Sequence, residues 1–229
     1  MCLPRGLPDK ELEDFGSHIR RRRILHRGRM LYHAGQSSKS LYTIRSGSIK
    51  TFALSSEGDE MVEGFYYPGE LLGFEALSSE PHDHFALALE TTEYCEIPVS
   101  PLNRLMLRSE SLRRQLIHII TRRITGDRRQ GYIRNRRDAR SRVAAYLVDV
   151  SLRRSRWRKS LDHFQLSMDR RDIAEYLGLT METVSRCLTQ FQREGLLRVK
   201  AKWIRLLNQQ ALRAVCGSDV WEELHRAVV

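Results

Sequence analysis

The chain has 229 residues, 41% hydrophobic and 29% charged, and its 39 Lys plus Arg against 28 Asp plus Glu leave a formal net charge of +11. That length suits one or two cores, and no apolar run approaches the roughly 18 residues of a membrane span, which excludes a transmembrane protein. The opening Met1-Cys2-Leu3-Pro4-Arg5-Gly6 lacks an apolar signal segment, so a cytoplasmic location is expected, and cysteines at 2, 95, 187 and 216 make neither a disulfide scaffold nor a C-x-x-C pair.

From about Leu25 to Ile97, short β-type runs alternate with glycines: Ser40–Ile44, Ser48–Ala53 and Glu93–Ile97 read as strands. Glycines at 28, 35, 47, 58, 64, 69 and 73 offer turn positions with positive φ. The pattern predicts an antiparallel barrel or roll, with hairpin tips at Ser46-Gly47 and Glu57-Gly58-Asp59. Pro68-Gly69 reads as a turn into a short helix-prone stretch, Glu70–Leu77.

After Pro98 and Pro101 the β pattern stops, and the proline-free stretch to about Arg137 permits one long helix. Ile117, Ile120, Ile124, Asp127 and Gly131 fall on alternating three- and four-residue steps, with Arg113 one step earlier, the spacing of a coiled-coil seam. This predicts a dimerisation helix and a homodimer; the competing reading packs the isoleucines on their own β-domain. In a parallel pair Asp127 meets its own copy, so the dimer is expected to be marginal and easily switched.

Charge follows the same division. Residues 1–103 hold 11 basic and 15 acidic residues, 104–159 hold 18 and 4, and 160–229 hold 10 and 9. Seventeen of the 18 basic residues in the middle segment are Arg, often paired as in Arg122-Arg123 and Arg128-Arg129. A single Arg reads equally well as a solvated helix face; as a set they favour a phosphate-rich partner. The expected domains are therefore a β-roll sensor over 1–103, a dimerisation helix over 104–137 and a helical DNA-binding domain over 138–229.

In that last domain Arg142–Val150 is helical in pattern, Arg153–Ser160 reads as an exposed basic loop, and Ser167 or Asp169 can cap the next helix. Residues 170–191 then read as two short helices joined by a turn at Gly178, with Ala174 at the close approach and Ile173, Leu177, Leu179, Val184, Cys187 and Leu188 facing inward. This is a helix-turn-helix. On its second helix Glu182, Ser185, Arg186 and Thr189 share one polar face. Arg186 can donate two hydrogen bonds to guanine and Glu182 can accept from cytosine N4, although an ordinary i,i+4 ion pair has the same spacing. Thr180 and Thr183 are further DNA candidates. Gly195–Leu206 alternates around a basic tip, as a wing would, which makes Lys200 and Lys202 candidate backbone contacts.

Taken together, these segments resemble the CRP/FNR superfamily of transcription factors, in its FNR/FixK/Anr branch. The resemblance is carried by Ser40–Lys50, Ala88–Pro98 and Tyr176–Arg186. It implies an α+β chain: an N-terminal antiparallel β-roll of the jelly-roll, cyclic-nucleotide-binding type, a long dimer helix and a C-terminal winged helix-turn-helix on double-stranded DNA. The E-x-x-S-R pattern at Glu182, Ser185 and Arg186 matches the FNR-type reading head, which implies TTGAT-N4-ATCAA sites, a link to oxygen-limited or redox-responsive genes and, by analogy, RNA polymerase contacts from loops such as Ser55–Asp59.

Two departures bear on the signal. Cyclic-nucleotide members follow G-E-L with Arg-Ser/Thr-Ala; here Gly69-Glu70-Leu71 is present but His84-Phe85-Ala86 replaces the phosphate clamp, so cyclic AMP is rejected as effector. FNR-type sensors hold a 4Fe–4S cluster on four cysteines. This sequence has Cys95 before Glu-Ile-Pro, and Cys2-Leu3-Pro4 resembles the last of the N-terminal run, but two thiolates do not supply four ligands. Either the cluster is lost, or Met1 is an internal methionine of a longer frame carrying two more cysteines. Cys187 reads as a redox thiol or, more simply, as a packed small hydrophobe.

No metal is assigned, since His82-Asp83-His84 lacks visible partners and reads as a surface loop. A haem- or small-ligand-responsive regulator, with His82 or His84 as axial ligand, is the alternative. A cyclic-nucleotide signalling module is weaker, and no P-loop, zinc spacing or nucleophile–base motif supports an enzyme.

Overall fold

In the computed structural model of the chain, residues 9–18, 20–136, 138–155, 162–217 and 222 are described. The chain divides into two units, Met1–Ile120 and Thr121–Val229.

The first unit opens with α1 (Asp9–His18), followed by β1 (Arg20–Leu25), β2 (Met30–Tyr32), β3 (Ser40–Ser46), β4 (Ile49–Leu54), β5 (Glu60–Tyr66) and β6 (Leu71–Leu72). A 3-10 helix (Phe74–Leu77), β7 (Phe85–Ala88) and β8 (Thr92–Pro98) complete the roll. Two antiparallel four-stranded sheets result, in the orders β1-β8-β3-β6 and β2-β7-β4-β5. Leu41 pairs with Ile97 and Thr43 with Cys95, so β3 and β8 are joined residue by residue. One core cluster gathers Phe15, Leu41, Cys95, Ile97, Val99 and Leu102. Another gathers Tyr32, Ile44, Ile49, Tyr66 and Leu72.

The three expected strands are present, with corrections around them. Glu57-Gly58-Asp59 is a hairpin tip, closed by Ser55 N donating to Asp59 O at 2.9 Å. Ser46-Gly47 is not, because β3 and β4 belong to different sheets, and the dipeptide is the corner between them. Gly47 takes φ +84, and a Cβ there would lie 2.4 Å from Thr92 Oγ1, so only glycine passes this corner. Gly64 has no positive φ; it sits inside β5 beside a bulge, where Thr51 pairs with Gly64 and Phe52 with Val62, leaving Glu63 as the extra residue. Glu70–Leu77 is divided between β6 and the 3-10 helix.

The expected long helix is two. α2 (Val99–Arg108) accepts Pro101 in its first turn, where the missing N–H costs nothing, and ends at an extended Ser109 (φ −124, ψ 108). α3 (Glu110–Arg134) then begins, with Ser109 Oγ accepting from Leu112 N at 3.1 Å. A serine cap ahead of Glu110 in the first turn starts a helix more readily than it continues one, which absence of proline alone does not reveal.

The second unit contains α4 (Ala139–Ser155), β9 (His163–Gln165), α5 (Arg170–Leu177), α6 (Met181–Arg193), β10 (Leu197–Lys200), β11 (Trp203–Leu206) and α7 (Gln209–Cys216). α4 starts on Asp138, whose carboxylate accepts from Ser141 N and Ser141 Oγ, both at 2.8 Å. These bonds hold the carboxyl below its ordinary range. The helix is buried from Val143 through Leu152. It also runs through Arg153–Ser155, part of the stretch expected as a loop, where Arg153 pairs at 3.3 Å with the buried Asp149 carboxylate one turn back. The remainder of that stretch lies outside the described residues. β9 adds a third strand to the wing, in the order β10-β11-β9, with Phe164 opposite Ile204. Among the described residues no helix is long and apolar enough to cross a membrane.

Candidate nucleic-acid interface

α5 and α6 are short, and their ends are held by side chains. Asp169, rather than Ser167, caps α5: its carboxylate accepts from Asp172 N at 2.9 Å while Asp172 returns the bond to Asp169 N at 3.1 Å. Gly178 ends α5 at φ +62. Thr180 caps α6, its Oγ1 accepting from Thr183 N at 3.1 Å and meeting Thr183 Oγ1 at 2.8 Å. Ile173, Ala174, Leu177, Val184, Cys187, Leu188 and Phe191 are buried, so the inward face is the expected one except for half-buried Leu179.

The opposite face of α6 is open. Glu182 and Arg186 side chains are 75% and 70% exposed and their charged ends stand 3.5 Å apart. Ser185 lies half-buried between them in sequence, and Thr189, exposed, donates to Ser185 O at 3.0 Å. Glu182 also stands in the first turn of α6, where the helix dipole favours its charge. The face therefore offers a guanidinium fork, a carboxylate acceptor and hydroxyls on one rigid helix, the groups that read base edges in a major groove.

Several residues that position this face gave no signal in the sequence. Arg142 Nη1 donates to Leu177 O at 3.3 Å, bracing the turn from α4. Arg140 pairs with Glu194 at 2.5 Å and lies over the Phe191 ring, 5.5 Å from its centroid. Gln192 Oε1 accepts from Val199 N at 2.8 Å, tying the end of α6 to β10. These contacts join residues far apart in the chain, and no local spacing announces them. In the wing, Lys200 is exposed near the tip, where Ala201 takes φ +53. Lys202 is half-buried and donates through Nζ to Ser167 O at 3.0 Å.

The proposed seam residues lie along α3. Ile117 and Ile124 are 63% and 52% exposed and Ile120 is half-buried. Arg113 donates to Met106 O at 2.8 Å, across the break at Ser109. Asp127 lies on this helix, its side chain outside the described residues.

Of the candidate thiols, Cys2 lies outside the described residues. Cys95 is fully buried on β8 and is disulfide-bonded. Cys187 is buried on α6, and burial pushes its thiol above the ordinary range against the pull of the Arg140 and Arg186 guanidiniums. The histidines differ from the surface loop expected of them. His82 is buried, stacked on Tyr32 at 3.7 Å, and its Nδ1 meets Glu75 Oε2 at 3.0 Å. His84 Nε2 meets Tyr32 Oη at 2.8 Å.

A β-roll followed by a winged helix-turn-helix with an exposed reading face defines a DNA-binding regulator. Comparison with known proteins agrees on both parts. Residues 22–109 match the cyclic nucleotide-binding domain family and residues 141–215 the Crp-like helix-turn-helix domain family. The fumarate and nitrate reduction regulatory protein of Salmonella typhimurium is 40% identical over 217 residues, covering 95% of this chain and 87% of that protein. Among solved structures, FixK2 from Bradyrhizobium japonicum superposes with a TM-score of 0.77 at 27% identity, over 86% of this chain and 97% of that one. A CRP/FNR-family regulator from Thermus thermophilus shares the fold, with a TM-score of 0.67 at 20% identity over 86% of this chain and 98% of that one. The chain belongs to the CRP/FNR family of transcription regulators, in its FNR/FixK branch. It is a DNA-binding regulator and not an enzyme.

Proposed function

We propose that the protein is a homodimeric, cytoplasmic, sequence-specific activator of FNR/FixK type that reads a TTGAT-N4-ATCAA-like palindrome and serves oxygen-limited or redox-responsive gene expression. The observation that carries this is the exposed Glu182–Ser185–Arg186 face of α6, on a helix capped by Thr180 and braced by Arg140 and Arg142. Arg186 takes guanine and Glu182 takes cytosine of a half-site; Thr180, Thr183, Thr189, Lys200 and Lys202 serve the backbone. Dimerisation is supported by Ile117 and Ile124, large apolar side chains exposed along one helix. Arg113 and Ile120 belong to the same seam, and Asp127 keeps it marginal. A signal in the β-roll near Cys95 changes the closeness of the seams and sets two recognition helices one DNA turn apart. RNA polymerase is contacted by exposed β-roll loops such as Ser55–Asp59.

The cysteines of this chain do not fit a 4Fe–4S cluster. Of its four cysteines only Cys2 and Cys95 stand at positions that resemble cluster ligands, and two thiolates do not supply four ligands. Cyclic AMP is not the effector in this reading, since the His84-Phe85-Ala86 stretch offers no guanidinium for a phosphate.

Fluorescence anisotropy on a TTGAT-N4-ATCAA duplex at fixed salt, with protein purified without air and after air exposure, tests the reading. Specific binding that is lost when the G·C pair of each half-site is changed supports it. Equal binding to a scrambled duplex would refute the assignment of Arg186 and Glu182, and the contrast between the two preparations decides the redox link.

A further inference from the structure

The β-roll unit holds a cluster of titratable side chains that the DNA-reading face leaves unused. Glu75 comes from the 3-10 helix, Asp83 and His84 from the loop before β7, and Glu63 is the extra residue of the β5 bulge. The ligating atoms of Glu75, Asp83 and His84 all lie within 4.8 Å of one another. His84 Nδ1 meets Asp83 Oδ1 in direct contact, Glu75 Oε1 at 3.7 Å and Glu63 Oε2 at 4.0 Å. Metal–ligand bonds of about 2.0–2.2 Å place neighbouring donors about 3–3.6 Å apart, so these side chains stand close to the spacing an ion needs.

Two supports orient the cluster from behind. Tyr32 Oη holds His84 Nε2 at 2.8 Å, which turns Nδ1 toward the carboxylates. His82 Nδ1 holds Glu75 Oε2 at 3.0 Å, which leaves Oε1 facing His84. His82 is itself fixed, with a side chain 1% exposed and a ring stacked on Tyr32. Metal-binding imidazoles and carboxylates are commonly steered in this way through their second polar atom.

We propose that Glu75, Asp83 and His84, with Glu63 as fourth donor, bind a divalent first-row transition-metal ion. One imidazole with oxygen donors suits zinc or manganese(II), whereas magnesium prefers oxygen alone and thiophilic ions prefer sulfur. The site opens to solvent on the side of Asp83 and Glu63, whose side chains are 80% and 49% exposed, so an ion can enter without unfolding the roll.

The full chain, dialysed against chelator, is titrated with zinc chloride, manganese chloride and magnesium chloride by isothermal calorimetry. One zinc equivalent per chain is expected, with no magnesium heat. His84→Ala should abolish the event, and Asp83→Asn and Glu63→Gln, both at the surface, should each weaken it at least tenfold while leaving the circular dichroism spectrum unchanged. Cobalt(II) gives a second reading: d–d bands without a thiolate charge-transfer band, lost in His84→Ala. No binding by the parent chain, or zinc binding that survives all three substitutions, overturns the proposal, the latter placing the metal on cysteines or on other histidines.

Discussion

On α6, Glu182 and Arg186 stand 3.5 Å apart with both side chains in solvent, whereas in the β-roll Glu75 meets His82 at 3.0 Å beneath the surface. An exposed i,i+4 pair contributes only about 0.3–0.5 kcal/mol and is screened by salt. It can be opened and remade on another molecule with little loss to the fold. In the roll, burial lowers the His82 pKa, so the contact with Glu75 is a hydrogen bond that fixes a buried imidazole. Charge on the reading helix is therefore available to a partner, while the polar groups of the roll are tied into the structure around them.

Substitutions can break that contrast at several levels. The largest effect is expected from Phe191→Ala: the ring is fully buried under Arg140, and losing it should destabilise the second unit by about 3–5 kcal/mol in chemical denaturation. In the roll, Gly47→Ala forces a Cβ to 2.4 Å from Thr92 Oγ1 and 2.7 Å from Thr91 O at φ +84. A loss of about 2 kcal/mol or more is expected there, and a neutral result would show that the corner relaxes. Arg186→Ala sharpens the comparison, because DNA affinity should fall by about 1–3 kcal/mol at fixed salt while stability stays within about 0.5 kcal/mol. Stability falling with affinity would mean that the guanidinium is structural after all. Asp169→Ala removes the side-chain half of the α5 capping box, the bond from Asp172 N, and should cost about 1 kcal/mol of stability, read from the shift in denaturation midpoint.

The smallest effect concerns reactivity. The thiolate is the nucleophile, and burial raises the Cys187 thiol, so iodoacetamide labelling at pH 8 should be slow in the folded protein and fast after denaturation. Mass spectrometry of the tryptic peptide measures it. Rapid native labelling would return Cys187 to the candidates for a redox switch.

The two units also differ in how much of them can be read from the chain. The helix-turn-helix is local: cap, turn glycine, inward residues and polar face all fall between Asp169 and Phe191, so spacing alone places them. The roll is not. Leu41 finds Ile97 and Met30 finds Leu87 across long intervals, so strands can be recognised while their partners cannot. That is why Ser46-Gly47 passes for a hairpin in the sequence although its strands diverge into separate sheets. The acidic partners of His84 were invisible for the same reason, since Glu63 enters through a bulge and Glu75 through a 3-10 turn. The break at Ser109 is locally encoded, by serine followed by Glu110, although a proline-free stretch also permits one continuous helix.

Lys202 has a consequence for how the complex answers to salt. One of its three donors is committed to the Ser167 carbonyl and its stem is half-buried, so it has less reach toward a phosphate than its place beside the wing tip suggests. Each phosphate neutralised by a cation releases condensed counterions and steepens the dependence of affinity on salt by about 0.9 in the double-logarithmic slope. Exposed Lys200 should therefore carry most of the wing's share of that slope, with Lys202 adding little to ion release.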